Sequence, residues 1–330
     1  MTTSSLNARL PASARAAAGQ HPSNGSRSAA AIEARGLTKR FGDVLAVENV
    51  TFTVKRGSVV GFLGPNGAGK TTTLRMLLGL ISPSAGSATI NGRPYRQLPA
   101  PQRAVGAVLD SSSAHPGRTA RNHLCVHALA TGAPPSRVAE VLDLVELTEA
   151  AGRRVGGFSL GMRQRLGLAT ALLCDPEILI LDEPGNGLDP EGLHWLRRFL
   201  RDRASAGRTV LISSHILAEV AQTADSALIL NHGRLIADAP LAELTARAGH
   251  AIGVRTPRPG DLDAALTRLG AVVTILGDDR MQVTGISSEQ LGTVAAQAQI
   301  PIFETTTQTP DLEQVFLRLT APDAGSEVNR

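Results

Sequence analysis

The strongest chemical signal in the sequence is a glycine-rich loop followed directly by lysine and threonine. It lies in residues 59–72, VVGFLGPNGAGKTT, between a short apolar run and a leucine-rich segment of helical periodicity. In a strand, loop and helix of this spacing, backbone N–H groups and the helix N-terminus converge on phosphate oxygens. The residues expected to bind the nucleotide are Gly64, Pro65, Asn66, Gly67, Ala68, Gly69, Lys70, Thr71 and Thr72.

Two side chains of this loop have predicted roles of their own. Lys70 is expected to reach the β- and γ-phosphates, and Thr71 to place its hydroxyl on Mg²⁺. A plain glycine turn between strand and helix is the alternative. Lysine occurs only at Lys39, Lys55 and Lys70, which disfavours a chance match to the motif. The sequence therefore predicts a nucleoside triphosphate site that uses Mg²⁺.

A second motif pairs two carboxylates at the end of an apolar strand. Residues 177–184 read EILILDEP, so Asp182 and Glu183 follow a run typical of a buried strand. Asp182 is expected to bind Mg²⁺, and Glu183 to polarise the attacking water as a general base. An apolar strand capped by solvated acids is the alternative. The position of the motif downstream of a phosphate loop favours the catalytic interpretation.

Composition limits the classes of protein that the chain can belong to. Its 330 residues, 42% hydrophobic and 19% charged, are typical of globular protein with room for two domains. No run of 18 apolar residues and no signal-peptide segment is found, so we expect neither a membrane span nor secretion. The net charge is +4, but the arginines are scattered, and no nucleic-acid partner is expected. Cys125 and Cys174 are far apart and are expected to be reduced.

Alternating strands and helices around these motifs predict a doubly wound α/β sheet with its ligand at the strand carboxyl ends. Strands are predicted in short pieces within 32–54, at 88–90 before an Asn91-Gly92 hairpin turn, and at 105–109, 178–181, 209–212, 227–230 and 235–237. Residues 119–174 have helical patterns, and further helices are predicted at 191–204 and 217–222.

The last part of the chain has a different pattern, whose order βαββαβ predicts a small α+β ferredoxin-like appendage. Its strands are expected at 252–255, 272–275, 281–284 and 300–304, and its helices at 261–269, 288–298 and 310–319. The predicted organisation is a disordered tail at 1–31, an ATPase domain at 32–248, an accessory domain at 249–320 and a second disordered tail at 321–330.

A third motif, GFSLGMRQR at residues 157–165, precedes a helix that Ser159 can cap. Together the ordered motifs resemble those of ABC-transporter ATPase subunits over about residues 32–239. The run LEQVF at 312–316 resembles the end of bacterial drug or antibiotic exporter ATPases. This family has a P-loop NTPase fold of ABC type, with a RecA-like core sheet, an antiparallel β-subdomain and a helical subdomain.

The resemblance implies roles for further residues. Phe41 stands where the family has an aromatic residue that stacks on adenine, and His215 stands at the switch histidine, a catalytic position beside Lys70 and Glu183. Asp189 matches the D-loop aspartate. The signature that contacts the other subunit's ATP corresponds to Ser159, Leu160, Gly161 and Met162.

The chain departs from the family pattern at two places. Asp110 occupies the position of the Q-loop glutamine; its carboxylate is shorter, although it can bind Mg²⁺ or its water. The signature has Leu160 in place of a glycine and Met162 in place of a glutamine. Ser159 and Gly161 remain, so contact with a γ-phosphate is still expected.

The resemblance also implies partners and a location. Two copies are expected to bind ATP at their interface as a homodimer, attached to a separate integral-membrane permease at the cytoplasmic face of a bacterial membrane. Export of a hydrophobic or drug-like compound is the favoured function. The alternatives are a soluble ABC ATPase that acts on ribosomes or DNA, and a P-loop nucleotide kinase.

One pair of side chains has a spacing that zinc sites use. His123 and His127 lie four residues apart, which places both imidazoles on one face of a helix. The sequence offers no third ligand beside them, so no metal is expected there.

Overall fold

The computed structural model describes residues 30–109, 114–247 and 251–308, together with Phe316. Its strands are β1 (Ala30–Phe41), β2 (Val44–Lys55), β3 (Val59–Leu63), β4 (Ala85–Ile90), β5 (Val105–Val108), β6 (Ile178–Asp182), β7 (Thr209–Ser214), β8 (Ser226–Asn231), β9 (Arg234–Pro240), β10 (Ala251–Arg255), β11 (Val272–Ile275), β12 (Arg280–Thr284) and β13 (Glu304–Gln308). Its helices are α1 (Lys70–Leu77), α2 (Pro101–Ala104), α3 (Ala120–Thr131), α4 (Ser136–Leu144), α5 (Leu160–Leu172), α6 (Pro190–Ser205), α7 (Leu217–Ala221), α8 (Leu241–Arg247), α9 (Pro259–Thr267) and α10 (Ser288–Gln297).

The phosphate loop leaves the middle of a six-stranded sheet of order β5-β6-β7-β3-β8-β9. All its pairs are parallel except β8 with β9. Every residue of β3 is buried, as expected for a central strand covered on both faces. Because neighbouring parallel strands end at the same edge, the register sets Asp182 beside Ser213 and Leu63 beside Ser214. The predicted doubly wound sheet is therefore confirmed.

Two hydrophobic clusters cover the two faces of this sheet. On β6, Leu179 and Leu181 pack into a cluster formed with α3, α4 and α5, while Ile178 and Ile180 pack into one formed with α1, β1 and β2. The alternation of β6 between the two clusters explains why it is apolar at successive positions. Asp182, at its carboxyl end, is the first residue of the strand to be partly exposed.

The second sheet has three antiparallel strands in the order β2-β1-β4. The predicted short β pieces are in fact two long strands, whose pairing continues through register shifts such as the one between Ala34 and Leu37. The predicted tight turn at Asn91-Gly92 is confirmed: both residues have positive φ, and Ile90 and Arg93 exchange backbone hydrogen bonds of 2.7 and 3.1 Å across it. The bridge from Ile90 to Arg93 is an isolated one, and along its length β4 pairs with β1. β1 also includes residues 30 and 31, which were expected in the tail.

The C-terminal sheet has the order β11-β12-β10-β13, and all its pairs are antiparallel. With α9 after β10 and α10 after β12, this is the predicted βαββαβ arrangement. The strand predicted at 300–304 is misplaced, since β13 runs from Glu304 to Gln308. Ile300 is buried in the core beneath the sheet, and Pro301 has no N–H to give to a ladder, so the apolar run precedes the strand.

Several predictions lie outside the described residues: the two tails apart from residues 30 and 31, Asp110, and the helix at 310–319 apart from Phe316. Among the helices described above, none has the length and apolar character needed to cross a membrane.

Candidate functional site

The phosphate loop is shaped by glycines that other residues could not replace. Gly64 has φ 153° and Gly69 has φ 97°. A Cβ on Gly64 would overlap the carbonyl oxygen of Leu230, and one on Gly69 would lie 2.6 Å from the carbonyl oxygen of Ala46. Strand β8 and the antiparallel sheet therefore hold the loop from two sides.

The loop opens onto a cavity of about 230 Å³ at the N-terminus of α1. Gly69 caps this helix without a side chain, and the first turn has no acidic residue. The uncapped N–H groups and the positive end of the helix therefore face the cavity, an arrangement that suits phosphate. The lining residues are Ala46, Asn66, Gly67, Ala68, Gly69, Lys70, Thr71, Thr72 and Glu183.

Lys70 is buried under the loop and ties it to the acidic motif. Its Nζ donates to the carbonyl oxygens of Gly64 at 2.7 Å and Pro65 at 3.2 Å. The same ammonium lies 3.2 Å from Oε1 of Glu183, with 6% of the lysine side chain exposed. An ammonium held inside a loop of backbone N–H groups supplies the positive charge that a triphosphate needs.

Asp182 brings the strand end into contact with α1. Its Oδ2 accepts a hydrogen bond of 2.6 Å from the Thr71 hydroxyl, and its Oδ1 accepts one from Ser213. A hydroxyl and a carboxylate oxygen side by side next to a phosphate loop are hard donors that fit Mg²⁺. In the part of the chain that the structure describes, no three His, Cys, Asp or Glu side chains cluster as a protein-only metal site.

Glu183 adopts an unusual backbone conformation with φ 49°. For a residue other than glycine this left-handed conformation costs roughly 1–2 kcal/mol and persists only where neighbours enforce it. Ser213 does so, since the Glu183 N–H donates to its hydroxyl at 2.9 Å. The strained backbone directs the Glu183 carboxylate toward the phosphate loop.

His215 extends the contacts of Lys70 and Glu183 by one more side chain. Its Nδ1 lies 2.7 Å from Oε2 of Glu183, whose other oxygen contacts Lys70. Nearby, burial raises the pKa of the Glu219 carboxyl, which is the largest influence on that group. The structure therefore brings Lys70, Glu183 and His215 together, and their catalytic roles stay a prediction.

Ser213 contacts both residues of the acid pair, although the sequence motifs did not single it out. Its hydroxyl donates to the Asp182 carboxylate and accepts from the Glu183 backbone N–H, so it holds both the Asp182 side chain and the Glu183 backbone. Its contact with Asp182 could have been predicted from its position at the carboxyl end of β7, directly beside Asp182 in the parallel register.

The signature turn lies apart from this cavity and begins α5. Ser159 is the N-cap, and its hydroxyl accepts from the N–H of Met162 at 3.2 Å. Leu160 is 50% exposed, and Gly161 follows in the first turn. None of the four predicted signature residues lines the described part of the phosphate-loop cavity. The turn therefore presents a capped helix N-terminus away from its own chain's nucleotide loop.

Two further predicted residues have visible positions. Asp189 is the N-cap of α6 and accepts from the N–H of Gly192 at 2.8 Å. Phe41 ends β1 with 47% of its surface exposed and does not line the cavity; the Lys39 ammonium lies 5.0 Å from its ring centroid.

The two histidine rings of α3 lie against each other, with ring centroids 4.5 Å apart. His123 is buried, and its Nε2 lies 3.2 Å from the Thr170 hydroxyl of α5. Burial, with His127 and Arg118 adding to it, lowers the pKa of His123 to about 4. The pair therefore packs α3 against α5 as uncharged rings at neutral pH.

Comparison with known proteins agrees with this site. The family model described as ABC transporter matches residues 47–186, and a model for a domain of unknown function, DUF8746, matches residues 250–313. The bacitracin transport ATP-binding protein BcrA of Bacillus licheniformis is 42% identical, over 66% of this chain and 72% of the relative. The Nod factor export ATP-binding protein I of Burkholderia orbicola (strain AU 1054) is 38% identical, over 89% of this chain and 98% of the relative.

Solved structures lead to the same fold. The structure described as an ATP-binding subunit of an ABC transporter is 31% identical with a TM-score of 0.60, over 66% of this chain and 92% of that one. The ATP-binding cassette MJ0796, a dimer bound to ADP and phosphate, is 23% identical with a TM-score of 0.58, over 64% of this chain and 98% of that one, and it supports the fold alone.

The fold and site define a P-loop ATPase of ABC type. The chain belongs to the family of ABC-transporter ATP-binding proteins. It is an ATP-binding and ATP-hydrolysing subunit that serves transport, as the sequence motifs predicted, and not a nucleotide kinase.

Proposed function

We propose that this chain energises export as a homodimer that binds ATP and Mg²⁺ between its two copies. The observation that carries this proposal is the chain of contacts from Lys70 through Glu183 to His215 beside an open phosphate loop. It puts a cation, a carboxylate and an imidazole where a γ-phosphate and its attacking water would meet.

In this mechanism, the buried Lys70 ammonium neutralises charge on the β- and γ-phosphates. One carboxylate oxygen of Glu183 accepts a hydrogen bond from the attacking water and thereby orients it. His215 holds the second oxygen, Oε2. The Lys70 ammonium lies 3.2 Å from one oxygen of Glu183, so a phosphate oxygen that binds Lys70 competes with this carboxylate for the ammonium.

Thr71 and Asp182 would hold Mg²⁺, whose charge neutralises the phosphate oxygens when it is bound. These two residues already share a hydrogen bond, and Ser213 fixes the second oxygen of Asp182. Asp110 is proposed as a further contact to the ion or its water, by resemblance alone.

The other half of each ATP site would come from the second copy. Ser159 and Gly161 are not among the residues that line their own chain's described cavity, yet the start of α5 forms a helix N-terminus suited to phosphate. Leu160 and Met162 complete this turn, and Asp189 would face the partner from the D-loop. Phe41 is proposed to stack on adenine.

A separate integral-membrane permease would carry the cargo, with this chain bound peripherally at the cytoplasmic face. The relatives named for bacitracin transport and Nod factor export favour export over import and over action on ribosomes or DNA. A hydrophobic or drug-like compound is the proposed class of cargo. Recovery of the chain with ribosomes and not with membranes would contradict this assignment.

The test is the variant Glu183→Gln, which keeps the shape of the side chain and removes its charge. With Mg²⁺ and ATP the variant should run as a stable dimer in size-exclusion chromatography, and with ADP as a monomer, because hydrolysis no longer dissolves the interface. Glu177→Gln is the matched control: Glu177 precedes the same strand at its opposite end, and this variant should hydrolyse ATP like the unaltered protein. A Glu183→Gln variant that stays monomeric with ATP would contradict the proposal.

A further inference from the structure

Leu160, the residue that departs from the family signature, is in close contact with another functional segment of its own chain. A Cβ added to Gly187 would overlap Cγ and Cδ2 of Leu160 and would lie 3.0 Å from its Cβ. The leucine therefore lies directly on the Cα of Gly187, whose φ of 77° also favours glycine. Half of the Leu160 surface is still exposed on the other side.

The contact extends along residues 187–189, the D-loop. A Cβ on Gly161 would lie 3.2 Å from the carbonyl oxygen of Gly187 and 3.3 Å from Cδ2 of Leu188. Leu188 in turn packs against the hydrophobic cluster of the helical region. The first turn of α5 and the D-loop therefore form one packed unit.

The D-loop is also connected to the catalytic carboxylate. The N–H of Asn186 donates to the carbonyl oxygen of Glu183 at 3.1 Å, and the N–H of Leu188 donates to that of Gly185 at 3.1 Å. Two successive turns thus run from the strained Glu183 to the D-loop. These turns connect the backbone of Gly187 to that of Glu183, whose left-handed conformation depends on its surroundings.

We propose that Leu160 is a positioning residue that links the signature turn to Glu183 of the same chain through Gly187. The inference rests on the proposed function, in which the signature turn contacts ATP bound to the other copy while Glu183 acts on ATP bound to its own. Leu160 then couples the two ATP sites of the dimer. A glycine at this position has no side chain to make this contact.

The expected effect falls on turnover and on coupling between sites, not on ATP affinity, because neither Leu160 nor Gly187 lines its own chain's phosphate-loop cavity. Toward the other copy's ATP, the proposed contacts are those of Ser159 and of the N–H groups that open α5, which Leu160→Ala leaves in place. Leu160→Ala should lower kcat about tenfold, with KM for ATP and the melting temperature nearly unchanged. It should also lower the Hill coefficient for ATP hydrolysis toward one. Leu160→Met, which refills the space, should restore both kcat and the Hill coefficient.

The contact itself is tested by a pair of substitutions. Gly187→Ala adds a methyl group into Leu160 and should lower kcat by about 100-fold. In Leu160→Ala/Gly187→Ala the space is free again, so kcat should exceed that of Gly187→Ala, although the strain of alanine at positive φ remains. Leu269→Ala, at an exposed leucine of the C-terminal region, is the matched control and should leave kcat unchanged.

Multiplicative effects of the two substitutions, or a Leu160→Ala variant with the kcat and Hill coefficient of the unaltered protein, would overturn the inference. Those outcomes leave the proposed function standing, provided that the unaltered chain hydrolyses ATP and Glu183→Gln dimerises with ATP. If the unaltered chain did not hydrolyse ATP and Glu183→Gln did not dimerise with ATP, the proposed function itself would be refuted.

Discussion

The phosphate loop and the signature turn, the two halves of the proposed ATP site, are held in different ways. Contacts within the same chain hold the phosphate loop in place. Lys70 is 6% exposed, and Gly64 and Gly69 pack against backbone carbonyls of other strands. The signature turn lies at the surface, with Ser159 exposed and Leu160 half exposed. One half is a part of the core, and the other is an exposed surface, which we propose meets the second copy.

This difference explains which half keeps its motif. Gly64, Gly69 and Lys70, which carry the pattern G-x-x-x-x-G-K-T, are each constrained by neighbours a few ångströms away. In the signature turn the helix cap and the small residue at Gly161 are kept, while positions 160 and 162 differ from the family. The kept residues supply the cap and the open backbone N–H groups, and the changed ones pack within the same chain, Leu160 on Gly187 and Met162 on the helical cluster.

The largest difference between the halves should appear when Lys70 is replaced. Lys70→Ala removes the only cation that lines the phosphate-loop cavity among the described residues, and kcat/KM for ATP should fall by at least about 100-fold. Phosphate release under steady-state conditions measures this. Lys55→Ala, at an exposed lysine of β2, is the control and should have no effect. A Lys70→Ala variant with more than a tenth of the original kcat/KM would argue against the site.

The glycines of the loop offer a test of rigidity. Gly69→Ala should lower the free energy of unfolding by about 2–3 kcal/mol, because its methyl group would meet the Ala46 carbonyl. Gly67 also has positive φ but open space around it, so Gly67→Ala should cost only about 1 kcal/mol. Urea unfolding without nucleotide measures both. Equal losses in the two variants would mean that the loop is not clamped by the antiparallel sheet.

Acid should weaken the helical region behind the signature turn. The pKa of His123 is about 4 in the folded protein and near 6.5 when unfolded, so only the unfolded chain takes up a proton between these values. Stability from this group is present above pH 6.5 and is lost as pH falls, by about 2 kcal/mol at pH 5. His123→Gln should remove that part of the pH dependence. An unchanged pH profile of unfolding in this variant would contradict the assignment.

The smallest effect on stability is expected at the signature cap. Ser159→Ala removes the acceptor for the Met162 N–H and should cost about 1 kcal/mol. Thr119→Ala removes the equivalent cap of α3 and should cost a similar amount. If Ser159 also binds a partner's ATP, only its variant should lose ATPase activity. Equal ATPase activities in the two variants would mean that Ser159 only caps its helix and does not bind ATP.

The sequence predicted the parts of this account that depend on local motifs. The phosphate loop, the acid pair at the end of β6 and His215 after β7 are each read from a few consecutive residues, and parallel pairing brings them together. The βαββαβ order of the C-terminal region was predictable from local pattern alone. The site motifs need that pattern and the rule that parallel strands end together.

The remaining features depend on contacts between distant segments. Nothing in the sequence near Leu160 indicates that it packs on Gly187, and the role of Ser213 follows only from strand register. Phe41 satisfies the motif but does not line the cavity, so stacking on adenine stays a prediction. The threonine run of β13 was misjudged because the preceding apolar residues fill the core beneath the sheet and form no strand.

The central claim, that each ATP site combines one copy's phosphate loop with the other copy's signature turn, is tested most directly by mixing two inactive variants. Lys70→Ala lacks the lysine but keeps the signature turn. Ser159→Asp keeps the helix cap, since aspartate caps as well as serine, but sets a negative charge against the γ-phosphate. Each variant alone should be inactive.

In a mixed dimer one site has both intact halves, Lys70 from the Ser159→Asp copy and Ser159 from the Lys70→Ala copy. Phosphate release measured across mixing ratios should therefore rise from near zero, peak at equal amounts and fall again. Absence of recovery at every ratio, with mixed dimers shown to form, would contradict a site shared between two chains.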